Sequence, residues 1–100
     1  MLLHIVNKSP YEGNSLTRCL AHTGKGAALI LIEDAVYAAT RGNAAESAIR
    51  RALEGLPVYA LGPDLEARGM QGSVIDGVTV VDFGGFVELV AEHRTNQSWL

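Results

Sequence analysis

Apolar and polar positions along this chain fall into short blocks, and the period of the blocks changes from strand-like to helix-like and back. The first block, Leu2 to Val6, is an apolar run broken only by His4 and reads as a buried strand. Asn7-Lys8-Ser9-Pro10 is a turn, because Pro10 disfavours helix at Ser9. Asn14 is placed to cap a helix running from Ser15 to about His22, with Leu16 and Leu20 one turn apart on its inward face. Gly24-Lys25-Gly26 ends that helix. Ala27 to Ile32 is continuously apolar, as expected of a strand covered on both faces in a parallel sheet. It closes on Glu33-Asp34, which reads as an acid pair, a cation site or a helix cap, with Asp34 read chiefly as the cap.

Ala35 to Thr40 suits helix and Gly42 interrupts it. Asn43 with Glu46 three residues on fits a capping arrangement for a helix from Ala44 to about Leu53, ended by Gly55. Pro57 to Leu61 is a third strand. Gly62-Pro63-Asp64 opens a short helix, with Pro63 suited to its first position, and Gly69 closes it. Asp76-Gly77 turns the chain into a fourth strand, Val78 to Val81. Phe83 to about His93 is the last helix, with Phe86, Val87, Leu89 and Val90 as its apolar stripe. Thr95 to Leu100 reads as a polar tail that ends on Trp99-Leu100.

Strands alternating with helices at this spacing define βαβ units: an α/β fold, a three-layer α/β/α sandwich around a small, mostly parallel sheet. One hundred residues make a single domain, 1–100, with a radius of gyration of about 13 Å. Ligands in such folds bind beyond the carboxyl ends of the strands. That edge holds Asn7 to Asn14, Glu33 to Tyr37, Gly62 to Asp64 and Asp82 to Gly85.

Composition narrows the classes. Residues are 48% hydrophobic and 19% charged, which is the balance of a folded domain rather than a disordered one. A net charge of −3 without a basic cluster lacks the footprint of direct nucleic-acid binding. The sequence has no apolar run long enough to span a membrane and no signal-peptide pattern, so a cytoplasmic protein is expected. A single cysteine fits a reducing compartment.

That cysteine, Cys19, is the most reactive group available. At about 100° per residue it lies about 60° from Leu16, at the margin of the buried face, with His22 further round toward solvent. A thiol there is reachable from outside, and Arg18 and His22 have the right sign to favour its thiolate. The competing reading is a small buried hydrophobe, since free cysteine is among the most buried residue types. His4, inside an apolar strand, reads as a core histidine. His4, His22, His93 and Cys19 show no metal-ligand spacing, so no metal is expected. The chain lacks a dinucleotide or phosphate-loop fingerprint, and its serines lack the nucleophile-elbow context, so no cofactor and no stand-alone enzyme is expected. Tyr37 and Trp99 are hard to bury in so small a domain; each either meets a partner or folds onto its own chain.

Four stretches together carry a resemblance: Leu3 to Leu20 (LHIVNKSPYEGNSLTRCL), Glu33 to Ala39 (EDAVYAA), Val58 to Gly69 (VYALGPDLEARG), and Gly77 to Leu100 with VVDFGGFVELV and the terminal QSWL. In this order and without large gaps, they resemble the DsrH/TusB family, the smallest subunit type of the DsrEFH and TusBCD sulfur-relay complexes. The match looks closer to DsrH, because the helix after the NKSP loop carries Cys19 at the position of that branch's candidate sulfur-binding cysteine.

The resemblance implies a DsrEFH-like fold within a cytoplasmic heterohexamer, two copies each of three homologous subunits. It implies DsrE/TusD-like and DsrF/TusC-like partners and a DsrC/TusE-like acceptor, with sulfur passed as a cysteine persulfide. In that family the DsrE or TusD subunit supplies the principal cysteine. The expectation is a sulfur-relay subunit, in dissimilatory sulfur oxidation, with Cys19 carrying sulfur and Arg18 and His22 as thiolate stabilisers. The alternatives are a purely structural subunit, or a TusB-type subunit in tRNA 2-thiouridine synthesis.

Overall fold

A computed structural model describes residues 2–11, 13–24 and 26–99. Among the described residues five strands form one parallel sheet: β1 (Leu2–Val6), β2 (Ala28–Leu31), β3 (Val58–Leu61), β4 (Thr79–Val81) and β5 (Thr95–Trp99). Their order across the sheet is β4-β3-β2-β1-β5. The helices are α1 (Ser15–Ala21), α2 (Glu46–Ala52), α3 (Gly62–Ala67) and α4 (Phe83–Glu92), with a 3-10 helix over Glu33–Ala39.

Side-chain alternation sorts the layers. Val6, Leu29, Leu31, Val58 and Ala60 point to one face, where Leu16, Val36, Ile49 and Leu65 from α1, the 3-10 helix, α2 and α3 close over them. Leu3, Ala28 and Ile30 point to the other face, where Leu89 of α4 packs, flanked by Phe86 and Val90. β2 is buried on both faces along its length, which is why its sequence is unbroken by polar residues. From β1 to β4 the sheet grows in one direction through connections on the first face. The step from β4 to β5 runs back to the opposite edge, and a right-handed crossover then puts α4 on the second face. The α/β/α sandwich is as the periodicity predicts, and the radius of gyration is 12.0 Å.

Helix ends follow local chemistry, with two departures from expectation. Asp82 accepts from the Gly85 amide at 2.7 Å and caps α4. Pro63 opens α3, and Gly69 leaves it at φ 66°. Asn14 makes no side-chain cap bond to α1. Asn43 Oδ1 does accept from the Ala45 amide at 2.7 Å, but Glu46 reaches back to the Gly42 amide rather than to Asn43, so the reciprocal box is displaced by one residue.

The larger departure is β5. Thr95 to Ser98 are exposed and carry no apolar alternation, so the segment reads as a tail; the structure pairs it with β1 as an edge strand, Leu2 with Thr95 through Val6 with Trp99. Edge strands bury little, and here backbone pairing and one anchor do what side-chain pattern does elsewhere. That anchor is Trp99, which is 9% exposed and packs within its own chain. The contact with another subunit that the tail invites in the sequence therefore does not involve a free Trp99; Leu100 lies outside the described residues.

Candidate functional site

Cys19 sits in α1, and the structure corrects its placement. The residues of α1 that turn inward are Ser15, Leu16 and Cys19, while Leu20 is only partly covered. The buried arc is thus rotated by about 70° from the one centred on Leu16 and Leu20. β5 is the cause. α1 rests on both β1 and β5, so a helix edge that hangs free over a four-stranded sheet lies over a floor when the sheet has five strands. Cys19 is 0% exposed and shares the core cluster with Val6 and Trp99.

Burial also sets its chemistry. Removing the thiolate from water pushes the Cys19 thiol up to about 12. Arg18 and His22, expected beside the sulfur, attend Trp99 instead. The Arg18 guanidinium carbon stands 5.8 Å from the centre of the Trp99 ring, a cation-π distance, and the His22 ring centroid lies 5.7 Å from it. His22 Nδ1–H donates to the Arg18 carbonyl at 2.7 Å. The electrostatic help that the sequence offers is spent on the indole, and Cys19 in this conformation is a core side chain rather than an accessible nucleophile.

Trp99 in turn donates its Nε1–H to His4 Nδ1 at 3.0 Å, joining β5 to β1 through side chains as well as backbone. His4 is 1% exposed, and its Nε2 has no hydrogen-bond partner among the described residues. The core histidine of the sequence reading is therefore satisfied on one nitrogen only. Burial holds its pKa below the ordinary imidazole value, and nearby His22 adds to the effect.

The carboxyl-end edge of the sheet carries a second cluster. Glu33 has φ 51°, an uncommon left-handed conformation for a non-glycine residue, and its amide donates to Asp64 Oδ2 at 2.7 Å. Asp34 caps nothing: it accepts from Arg68 Nε at 3.0 Å and Nη2 at 2.8 Å, and Arg68 also donates to the Asp64 carbonyl. The hydrogen bond from Arg68 to Asp34 raises the guanidinium pKa further. The acid pair of the sequence is thus a tie between the segments that follow β2 and β3. Between α1 and α2 lies an open groove of about 470 Å³, lined by Leu16, Leu20, Ala45, Ala48, Arg51 and Leu56 among others. Cys19 does not line it.

A compact αβα domain on a five-stranded parallel sheet, its sole thiol sealed beneath α1, defines the class. In fold it is similar to the ychN protein from E. coli, with a TM-score of 0.81 at 20% identity over 97% of both chains. It is also similar to a protein of unknown function, MTH1491, from Methanobacterium thermoautotrophicum, with a TM-score of 0.69 at 19% identity over 97% of this chain and 96% of the other. Sequence relatives are nearer. Protein TusB of Pectobacterium carotovorum subsp. carotovorum (strain PC1) is 36% identical over 99 residues, and protein TusB of Escherichia coli (strain K12) is 34% identical over 100. Both matches take in 98% of this chain and all of the relative. The profile of the DsrH like protein family matches residues 8–96. The chain belongs to this DsrH-like family, whose curated relatives here bear the name TusB.

Proposed function

We propose that this chain is a TusB-type subunit of a cytoplasmic sulfur-relay complex serving tRNA 2-thiouridine synthesis, and that its contribution is structural. It stands beside TusC-like and TusD-like subunits, and sulfur passes through the complex to a TusE-like acceptor on a cysteine that this chain does not provide. End-to-end likeness to proteins named TusB favours the tRNA branch over sulfur oxidation. The observation that carries the structural role is the burial of Cys19. A sulfur carrier exchanges by attack of a thiolate on a partner's persulfide, which needs an open path and an ionised sulfur. A fully enclosed thiol with its pKa pushed up to about 12 has neither.

The test is complementation of a strain lacking its TusB with this chain or its Cys19→Ala variant, scoring 2-thiouridine in bulk tRNA and co-purification of the TusC-like and TusD-like subunits. Equal thiolation by both forms supports the structural role. Assembly retained with thiolation lost in Cys19→Ala returns the carrier role to Cys19. Failure of the unmodified chain to restore thiolation counts against the tRNA branch.

A further inference from the structure

We propose that His4 and Trp99 form a proton-operated latch on the C-terminal strand, closed while His4 Nδ1 accepts from the indole and released when that nitrogen takes up a proton. The geometry fixes the closed state. The indole nitrogen can only donate, so the 3.0 Å contact requires a bare lone pair on His4 Nδ1 and hence a neutral ring with its hydrogen on Nε2. Protonation puts a second hydrogen into that contact and breaks it. The new charge would then sit in a ring 1% exposed, whose other nitrogen has no partner among the described residues to receive it.

Among the described residues, the surroundings of His4 give a cation no compensation. From α1 and the residue that ends it the titratable and charged groups are Arg18, the Cys19 thiol and His22; from β5 the facing group is the Trp99 indole. On β2 the residue paired with His4 is Leu29. None of these supplies a carboxylate, and burial together with His22 holds the imidazole below its ordinary range. Apart from its backbone pairing, β5 has little else to hold it: Thr95 to Ser98 are exposed, it sits at the sheet edge, and Trp99 is its one buried residue. Local opening is favoured where few apolar contacts resist it. Release leaves the apolar β1 as a new open sheet edge, the kind of surface that accepts a partner strand.

The chain has one tryptophan, so the latch reports on itself. Amide exchange of the full chain, corrected for the intrinsic pH dependence of exchange, is followed from pH 7.5 to 5.0 alongside Trp99 emission. The expected result is that the β5 amides facing β1 lose protection as pH falls below about 6.5, by about tenfold per pH unit until His4 itself titrates. Emission shifts to the red over the same range, while β2 and β3 amides keep their protection. His4→Gln removes the pH dependence and His22→Gln leaves it in place. Unchanged β5 protection, loss in step with β2 and β3, or a slope that survives in His4→Gln would overturn the latch. Should His4→Gln not fold, NMR titration of the His4 ring in the unmodified chain decides. A His4 pKa below about 6.5, at the pH where the rise in β5 exchange levels off, supports the proposal, and a value of about 6.5 or higher refutes it.

Discussion

Sealing of Cys19 has a kinetic consequence large enough to be measured without ambiguity. The chain has one cysteine, so any thiol reagent reports on it alone. In the unfolded chain the thiol has its ordinary pKa of 9.0, and at pH 8 about one molecule in ten carries the thiolate; in the fold, with the pKa at about 12, the fraction is about one in ten thousand. Ionisation alone therefore slows a thiolate-specific disulfide reagent by about a thousandfold, before the steric barrier of a 0% exposed sulfur is counted. The assay is the rate of release of the coloured thiol from such a reagent at pH 8, in buffer and in denaturant, on the same sample. A native rate at least a thousandfold below the denatured rate is expected. A native rate within tenfold of the denatured one would refute both the burial and the structural role drawn from it.

Two further outcomes concern stability. Because the folded pKa of Cys19 lies above the unfolded value, the folded chain keeps a proton that the unfolded chain loses above pH 9; stability is unaffected by this group below that pH and falls by about 1.4 kcal/mol per unit above it. Denaturant titrations between pH 8.5 and 10.5 should show the slope in the unmodified chain and a shallower one, by that amount, in Cys19→Ala; parallel lines would contradict it. At the other end of the chain, Asp82→Ala removes the α4 cap and should cost about 1 kcal/mol, read as a lowered Tm with an unchanged fold by circular dichroism.

The sandwich was legible because its signals are period and punctuation. β2 announces itself as an unbroken apolar run, and α3 is bracketed by Pro63 and Gly69. The capping bonds were less legible, since a side chain such as Asp34 satisfies whichever partner the tertiary structure brings, and Arg68 is 34 residues away. The strain at Glu33 leaves no trace in residue type, because a left-handed glutamate is a consequence of the Asp64 carboxylate that receives its amide. β5 was invisible for a plainer reason. TNQS buries nothing, so a hydrophobic pattern has nothing to register, and only the terminal Trp99 hints that the segment returns to the core.

Missing the strand and misplacing the thiol are one error. A helical wheel can rank residues around α1, but the direction it calls inward is set by what lies beneath, and that includes a strand contributed from the far end of the chain. With β5 in place, Trp99 shares a buried cluster with Cys19, draws Arg18 and His22 to its ring, and donates its hydrogen bond to His4 of β1. The same side chain thereby removes the sulfur from solvent and removes the cations that would have activated it. Within this family the fold can be kept while the chemistry at a given position is lost or gained, because a domain's architecture and the exposure of one side chain are set by different contacts. Whether a thiol on α1 can be reached is then set less by possession of the cysteine than by whether the last strand lies beneath that helix. A relative with the cysteine but a shortened or unanchored final strand should present a thiol that ordinary reagents reach at close to the unfolded rate; one with the tryptophan anchor should not.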